Sequence, residues 1–205
     1  MPATCYGLRM IPILILAAGA SSRMRGADKL AEHIGRTPLL RLQAQRALAT
    51  GQPVFIAVPS PDHPRVALIS DLPVTILSVP EAAEGMSGSL RGAVKHLPTC
   101  EKFMLLLADL PEIEADDLTA VMTAQGHPDT LIWRGSTEDG KPGHPVMFHA
   151  SLRPLFAALT GDTGGEPIVK AHKDRTVFVP LHGTAARRDL DTPEDWAAFR
   201  AETNL

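Results

Sequence analysis

The sequence predicts a single-domain α/β fold of three layers, with helices on both faces of a mostly parallel sheet. Four near-continuous apolar runs lie within the first 125 residues, and strands covered on both faces have this pattern. Segments with the helical spacing of apolar residues separate the runs, and strand–helix–strand units build parallel sheets. The chain has 205 residues, 44% of them apolar, which is enough for the core of one domain.

The four apolar runs are predicted to be the strands of this sheet. They are residues 11–17, 54–58, 74–79 and 103–108. Between the first two, Thr37 and Pro38 are predicted to be the N-cap and the first position of a helix, and Gly51 its left-handed C-terminal residue. Ser87 or Ser89 is predicted to cap a second helix.

The remaining elements follow from shorter patterns. Asp116 is predicted to begin a third helix. In the second half, short apolar segments predict strands at residues 130–133, 145–148 and 177–179. A final helix is predicted to begin at Thr192 and to turn Trp196 and Phe199 inward.

Composition excludes several classes of protein. With 20 basic and 23 acidic residues, the net charge of −3 gives no general attraction for nucleic acid. No apolar run approaches the roughly 20 residues of a membrane span, so no membrane partner is expected. The two cysteines, Cys5 and Cys100, cannot form a disulfide framework or a four-cysteine zinc site. They are expected as free thiols in a reducing cytoplasm.

The N-terminal segment suggests an alternative location. Arg9 precedes the apolar residues 11–20, which end in small side chains, and this pattern resembles an export signal. The basic residues that follow, Arg23, Arg25 and Lys29, fit a ligand-binding loop better. A cytoplasmic protein is therefore expected.

The segment after the first strand is a candidate phosphate-binding loop, since ligands of open parallel sheets bind at the carboxyl ends of the strands. Residues 17–29 read AAGASSRMRGADK. Small residues allow close approach, backbone amides can bind phosphate oxygens, and Arg23, Arg25 and Lys29 add positive charge. The segment matches neither G-x-G-x-x-G nor the P-loop pattern. The alternative is a flexible turn with solvated basic residues.

Three other segments carry candidate site residues. Asp109 follows the most apolar strand, where a buried carboxylate needs a partner or a cation such as Mg²⁺; alternatively, it is a turn residue before Pro111. Residues 84–90 (EGMSGSL) can contact a base or ribose, or simply begin a helix. His144, in the turn at residues 140–145 (GKPGHP), can face a ligand or be structural.

Together these motifs resemble the molybdenum cofactor nucleotidyltransferase family, and within it the cytidylyltransferases. In chain order they are L-A-A-G-x-S-x-R-M…K, E-G-M-x-x-S-L, D-x-P, P-G-H-P-V-x-F and D-x-D-T-P-E-D, from Leu16 to Asp195. The resemblance implies a Rossmann-like three-layer nucleotidyltransferase fold in one domain, residues 1–205. It also implies a nucleotide-binding half at about 9–125 and an acceptor half at about 126–205.

The resemblance implies a Mg²⁺-dependent reaction in which the terminal phosphate of molybdopterin attacks the α-phosphorus of CTP and pyrophosphate leaves. A molybdenum hydroxylase would be the client for the product. Lys29, Arg23 and Asp109 would be the catalytic residues, and Asp109 and Asp191 the metal ligands. No protein nucleophile is needed, because positioning and charge compensation suffice for phosphorus transfer.

The resemblance also implies two sets of binding residues. The nucleotide would meet Ala17, Ala18, Gly19, Ser21, Arg23, Lys29, Gly85 and Ser89. The pterin substrate would meet Gly143, His144 and Pro145. Ala18 stands where guanylyl relatives carry glycine, and its methyl narrows the space for a purine. A preference for CTP over GTP of about 1–3 kcal/mol is therefore expected.

Three departures from the family pattern leave alternatives open. The loop from Arg23 to Lys29 is one residue longer, Ala108 replaces the usual glycine, and Glu166 stands where a cation is expected. The nucleotide could instead be GTP, and the acceptor a sugar or alcohol phosphate. A protein of another class, a non-catalytic carrier of molybdenum cofactor, would not need a metal ligand facing the phosphate loop.

Overall fold

A seven-stranded sheet runs through the middle of the protein. The computed structural model describes residues 10–203. In chain order the strands are β1 (Ile13–Leu16), β2 (His33–Ile34), β3 (Thr37–Pro38), β4 (Val54–Val58), β5 (Thr75–Ser78), β6 (Lys102–Leu107), β7 (Ile132–Ser136), β8 (Pro142–His149) and β9 (Thr176–Pro180). The sheet order is β5-β4-β1-β6-β8-β7-β9, and β2 pairs only with β3 in a small hairpin.

Within residues 10–203, five α-helices flank the sheet. They are α1 (Leu39–Ala49), α2 (Met86–Val94), α3 (Ala115–Thr123), α4 (Glu166–Ala171) and α5 (Pro193–Thr203). The sequence predicted all of them except α4. That helix has only six residues, too few to show a helical repeat of apolar positions.

The sheet is mostly parallel, as predicted, and β8 is the exception. Strands β5, β4, β1 and β6 run parallel, whereas β8 is antiparallel to both β6 and β7. The reason is the short connection between β7 and β8, residues 137–141, which is long enough for a hairpin but not for a crossover. Strand β9 then pairs in parallel with β7 at the sheet edge.

The unbroken apolar runs reflect burial on both faces of the sheet. Ile13 and Ile15 of β1 join the core on one face and Leu14 joins the core on the other, and all three are fully buried. Helices α1, α3 and α5 cover the first face, while α2 and residues 150–158 cover the second. The predicted three-layer α/β/α arrangement is confirmed, as is the inward position of Trp196 and Phe199 on α5.

The start of α1 differs from the prediction. The helix begins at Leu39 with Pro38 as its N-cap residue, so Thr37 is not the cap. Thr37 and Pro38 pair with β2 instead, because the hairpin holds them in extended conformation. At the other end, Gly51 has a φ of +73°, which confirms the predicted left-handed residue.

The starts of α2 and α3 also differ. The N-cap position of α2 belongs to Gly85, with a φ of +94°, so neither Ser87 nor Ser89 caps the helix. Both serines lie in its first turns and are buried. Helix α3 begins one residue before Asp116, with Glu114 in a reciprocal capping arrangement.

Cys100 is a free thiol buried in the core, and burial raises its pKa. Cys5 and Arg9 lie outside the described residues. Within residues 10–203, every helix is too short or too polar to cross a membrane.

Candidate functional site

A cavity of about 470 Å³ opens where β1 and β6 end. Its walls come from residues 18–23, Lys29, residues 82–89 and the aspartates beyond β6 and before α5. Parallel strands β1 and β6 present their carboxyl ends at the same edge, which is where ligands bind in such sheets. Nine of the predicted site residues line this one cavity: Ala18, Gly19, Ser21, Arg23, Lys29, Gly85, Ser89, Asp109 and Asp191.

A cluster of opposite charges lies at the floor of the cavity. The ammonium of Lys29 donates hydrogen bonds to Oδ2 of Asp109 and, at 2.6 Å, to Oδ1 of Asp191. These three side chains are only 14–16% exposed. Arg23 pairs with the other oxygen of Asp191 at 2.7 Å, but its own side chain is 68% exposed. Lys29 is thus enclosed between two carboxylates, while Arg23 remains open to a ligand.

The charges in the cluster shift the pKa values of its members. Burial tends to lower the pKa of Lys29, but the carboxylates of Asp109 and Asp191 outweigh it and raise that pKa. Burial tends to raise the pKa of Asp191, yet Lys29 and Arg23 hold it below its ordinary value. Burial, together with repulsion from the carboxylates of Asp191 and Asp109, raises the pKa of neighbouring Asp189. At neutral pH, Lys29 is therefore a cation.

Backbone contacts bring Asp109 and Asp191 together although they are far apart in sequence. Asp109 lies two residues beyond β6, and its carbonyl accepts a hydrogen bond of 3.2 Å from the amide of Leu190. The carboxylate of Asp195, in the first turn of α5, accepts bonds from the amides of Asp191 and Thr192. The capping of α5 therefore fixes the backbone that carries Asp191.

The two carboxylates fit a divalent cation. Oδ1 of Asp109 is buried and has no hydrogen-bond partner among residues 10–203. In the same part of the chain, no three His, Cys, Asp or Glu side chains converge as a metal site. Mg²⁺ bound through one or two carboxylates completes its shell with substrate phosphates and water. Asp109 and Asp191 could supply the protein ligands of such a site.

Other predicted residues lie outside the cavity. Ala17 is buried, its amide donates to the carbonyl of Ala57, and its own carbonyl accepts from Arg65. Gly143 and Pro145 are buried in β8, where a Cβ on Gly143 would overlap the carbonyl of Ala186. The carbonyl of Gly143 also accepts a hydrogen bond of 2.9 Å from Nε of Arg134.

The longer loop keeps Lys29 in the cavity and turns Arg25 away from it. Arg25 pairs with Glu194 on α5 at 2.5 Å, and both side chains are largely exposed. Within this loop, Arg25 therefore faces α5 while Lys29 lies beside Asp109.

His144 lines a second cavity of about 100 Å³ that shares Leu16, Met86 and Leu107 with the first. Arg134 and Glu166 lie in the same cavity, with 3.5 Å between their nearest charged atoms. Burial, reinforced by the positive charge of Arg134, lowers the pKa of His144 to about 4. His144 is thus a neutral group at physiological pH.

Three residues near the site received no predicted role from the sequence. Arg134 belongs to an apolar strand, Arg65 follows β4 without a motif, and Asp162 lies in a glycine-rich turn. Asp162 lines the larger cavity and accepts a 2.7 Å hydrogen bond from the first amide of α2. The one signal for Asp162 in the sequence was its residue type, because aspartate is common at helix N-termini and Asp162 stands among small residues.

In His144→Gln, the free energy of unfolding is expected to depend less on pH below neutrality than in the unmodified protein. Between the ordinary pKa of 6.5 and the folded value of about 4, the unfolded chain binds a proton that the folded protein does not. Stability therefore falls on acidification through this range, by at most about 1.4 kcal/mol per pH unit. Urea denaturation at several pH values between 7.5 and 4.5 measures the effect. His33→Gln, at an exposed position, is the control, and equal slopes for both variants would contradict the prediction.

Comparison with known proteins agrees with the fold. The sequence pattern of the MobA-like NTP transferase domain matches residues 13–176. No curated protein sequence matches the chain. Among solved structures, Rv0371c from Mycobacterium tuberculosis H37Rv is 24% identical over 93% of this chain and 97% of its own, with a TM-score of 0.79. Another structure of Rv0371c is a complex with manganese.

Two further structures share the fold. A nucleotidyl transferase from Methanothermobacter thermautotroptrophicus, Mth528, is 17% identical over 94% of this chain and 97% of its own, with a TM-score of 0.74. CMP:2-keto-3-deoxy-manno-octonic acid synthetase in complex with CTP is 16% identical over 95% and 98%, with a TM-score of 0.71. The family pattern spans most of the chain. The chain therefore belongs to the family of MobA-like NTP transferase domains, which makes it a nucleotidyltransferase.

Proposed function

We propose that the protein transfers CMP from CTP to the terminal phosphate of molybdopterin in a Mg²⁺-dependent reaction that releases pyrophosphate. The observation that carries the proposal is the convergence of Arg23, Lys29, Asp109 and Asp191 in one cavity. The choice of CTP and molybdopterin rests on the sequence motifs that resemble cytidylyltransferases.

The loop at residues 18–23 is the proposed binding site of the triphosphate. Its small residues allow the backbone to approach phosphate oxygens, and Arg23 reaches them from the open side. The acceptor phosphate oxygen forms a bond to the α-phosphorus while the bond between that phosphorus and the bridging oxygen breaks. The electron pair leaves with pyrophosphate, and the charge of Lys29 stabilises it.

Asp109 and Asp191 would hold the Mg²⁺ ion. When bound, the ion neutralises charge on the phosphates and helps to orient them. The carboxylates themselves orient Lys29, to which both are hydrogen bonded. The base and ribose are assigned to the wall formed by residues 82–89, where Gly85 and Ser89 face the cavity.

Ala18→Gly is expected to narrow the preference for CTP over GTP. Ala18 lines the cavity with its side chain 7% exposed, so its methyl occupies space that a purine would need. One methyl changes discrimination by about 1–3 kcal/mol. Calorimetric titration with each nucleotide measures the difference in affinity between CTP and GTP, and Ala20→Gly in the same loop is the control. Binding of GTP as tight as that of CTP by the unmodified protein would contradict the prediction.

The acceptor is assigned to the side of the second cavity, where His144 and Arg134 lie. The proposal thus divides the chain into a nucleotide half at about 9–125 and an acceptor half at about 126–205, with Asp191 reaching back from the latter. It places the protein in the cytoplasm, where it would serve a molybdenum hydroxylase client.

A second candidate function is nucleotidyl transfer to another acceptor, such as a sugar or alcohol phosphate. Glu166, which pairs with Arg134, leads to this candidate, because the family resemblance places a cation for the anionic pterin at this position. The fold shared with a CTP-bound sugar acid synthetase is compatible with either acceptor.

Pyrophosphate release is the experiment that tests the proposal. The protein, CTP and Mg²⁺ are incubated with molybdopterin, with a panel of sugar and alcohol phosphates, or without acceptor, and GTP replaces CTP in parallel reactions. Release that requires both CTP and molybdopterin is the expected result. Release with another acceptor alone supports the second candidate. Nucleotide binding without release in any reaction would contradict both, and would favour a carrier.

A further inference from the structure

Arg65 is buried behind the phosphate loop. It lies in a short 3₁₀ helix, Pro64–Leu68, that follows β4, and its side chain is only 2% exposed. Its Nη1 donates to the carbonyl of Ala17 at 2.5 Å, where the loop begins. Its Nη2 donates to Oγ of Ser21 at 3.0 Å, in the middle of the loop.

The end of the loop is held by the same guanidinium. Nε and Nη2 of Arg65 each donate to one oxygen of Asp28 at 2.7 Å, a planar two-bond pairing. Oδ1 of Asp28 also accepts from the hydroxyl of Ser21 and the amide of Leu30. Burial tends to raise the pKa of Asp28, but Arg65 outweighs it and lowers that pKa. Both charges of this pair are therefore satisfied inside the protein.

The loop needs such support because its backbone is unfavourable in two places. Ser21 and Arg25 have φ values of +51° and +53°, in the left-handed region that side chains other than glycine rarely adopt. Such conformations persist where the surroundings impose them. The hydroxyl of Ser21 accepts a hydrogen bond from Arg65 and donates one to Asp28. These two side chains therefore hold Ser21 in its left-handed conformation.

Arg65 does not line the proposed nucleotide cavity. Its guanidinium lies behind the loop and is absent from the walls of the larger cavity. Asp28, by contrast, is adjacent to Lys29, and Ser21 is two residues from Arg23. Changes in this network therefore reach the two cations through the backbone of the loop.

We propose that Arg65, with Asp28 and Ser21, forms a loop clamp that positions Arg23 and Lys29 for the triphosphate of the nucleotide. The inference rests on the proposed function. Arg65 is then a positioning residue, whose loss affects phosphate binding and leaves the base subsite at residues 82–89 unchanged. No local motif marks this position, because Arg65 lies 37 residues from its partner Asp28.

Two measurements on Arg65→Met and Arg65→Lys test the clamp. The first is the affinity for CTP and for cytidine, which lacks phosphates, measured by calorimetry with Mg²⁺. We expect CTP binding to weaken at least tenfold in Arg65→Met, while cytidine binding changes less than twofold. Arg65→Lys keeps the buried charge but cannot form the planar pairing with Asp28, and an intermediate loss is expected.

The second measurement is trypsin cleavage after Arg23 and Arg25 without nucleotide, followed by mass spectrometry. Both variants should be cut in the loop several times faster than the unmodified protein. Arg41→Met is the matched control, because Arg41 makes a similar two-bond pairing with Asp71 on the surface. Thermal melting shows whether each variant folds, and Arg65→Lys serves if Arg65→Met does not.

The results distinguish failure of the loop clamp from failure of the proposed function. Equal losses for CTP and cytidine, or a cleavage rate in folded variants no faster than in the control, overturn the clamp. If the unmodified protein binds no CTP, the proposed function fails, and the cleavage rates still decide whether Arg65 holds the loop.

Discussion

Asp109→Asn is expected to abolish nucleotidyl transfer while the fold survives. The amide keeps the shape of the side chain but loses the charge that a hard cation such as Mg²⁺ requires. Turnover should fall about a thousandfold or more, which corresponds to about 4 kcal/mol of transition-state stabilisation. Lys29 keeps its bond to Asp191 in this variant, so no buried cation is left without a partner. The effect is therefore expected on chemistry and not on folding.

Three measurements separate these effects. Steady-state release of pyrophosphate gives the turnover, and thermal melting reports the fold. Titration with Mn²⁺, followed by electron paramagnetic resonance, gives the metal affinity, which should weaken. Asp71→Asn is the control, because Asp71 is an exposed aspartate in a surface ion pair. Near-normal turnover, or a variant that only unfolds, would return Asp109 to the role of a structural turn residue.

Arg23→Ala and Lys29→Ala are expected to affect different kinetic constants. The side chain of Arg23 is largely exposed beside Asp191, so it can bind the phosphate oxygens of CTP already in the ground state. Its loss should mainly raise the KM for CTP. Lys29 is enclosed and fixed between two carboxylates, where its charge can stabilise the departing pyrophosphate. Its loss should mainly lower kcat, by about a hundredfold or about 2.7 kcal/mol.

Steady-state kinetics of the single variants, with Arg25→Ala as the matched control, test this division. Arg25 carries the same charge in the same loop, but its partner is Glu194 outside the cavity. We expect Arg25→Ala to behave like the unmodified protein. An impaired Arg25→Ala beside a normal Lys29→Ala would show that the longer loop exchanges their roles. If all three variants were fully active, the proposed mechanism would be wrong.

Much of the fold was predictable because burial on both faces leaves a direct mark on composition. The run that contains β1 has no polar residue, since Ile13 and Leu14 face different cores and both are fully buried. Gly51 marked the end of α1 because only glycine enters the left-handed region at little cost. The caps were less predictable. Thr37 and Ser87 are good capping residues, but the hairpin of β2 and β3 and the turn at Gly85 start the two helices elsewhere.

The sequence by itself determined the three-layer fold and nine residues of the larger cavity, because strand ends in a parallel sheet meet at one edge and the motifs there resemble those of a known family. Three features depended on tertiary structure: the contact of Lys29 with both Asp109 and Asp191, the cavity shared by Arg134 and Glu166, and the support of the loop by Arg65. Each joins segments distant in the chain through specific hydrogen bonds or ion pairs. Local pattern reports burial and conformation, whereas such pairings are decided only when packed elements bring the charges together.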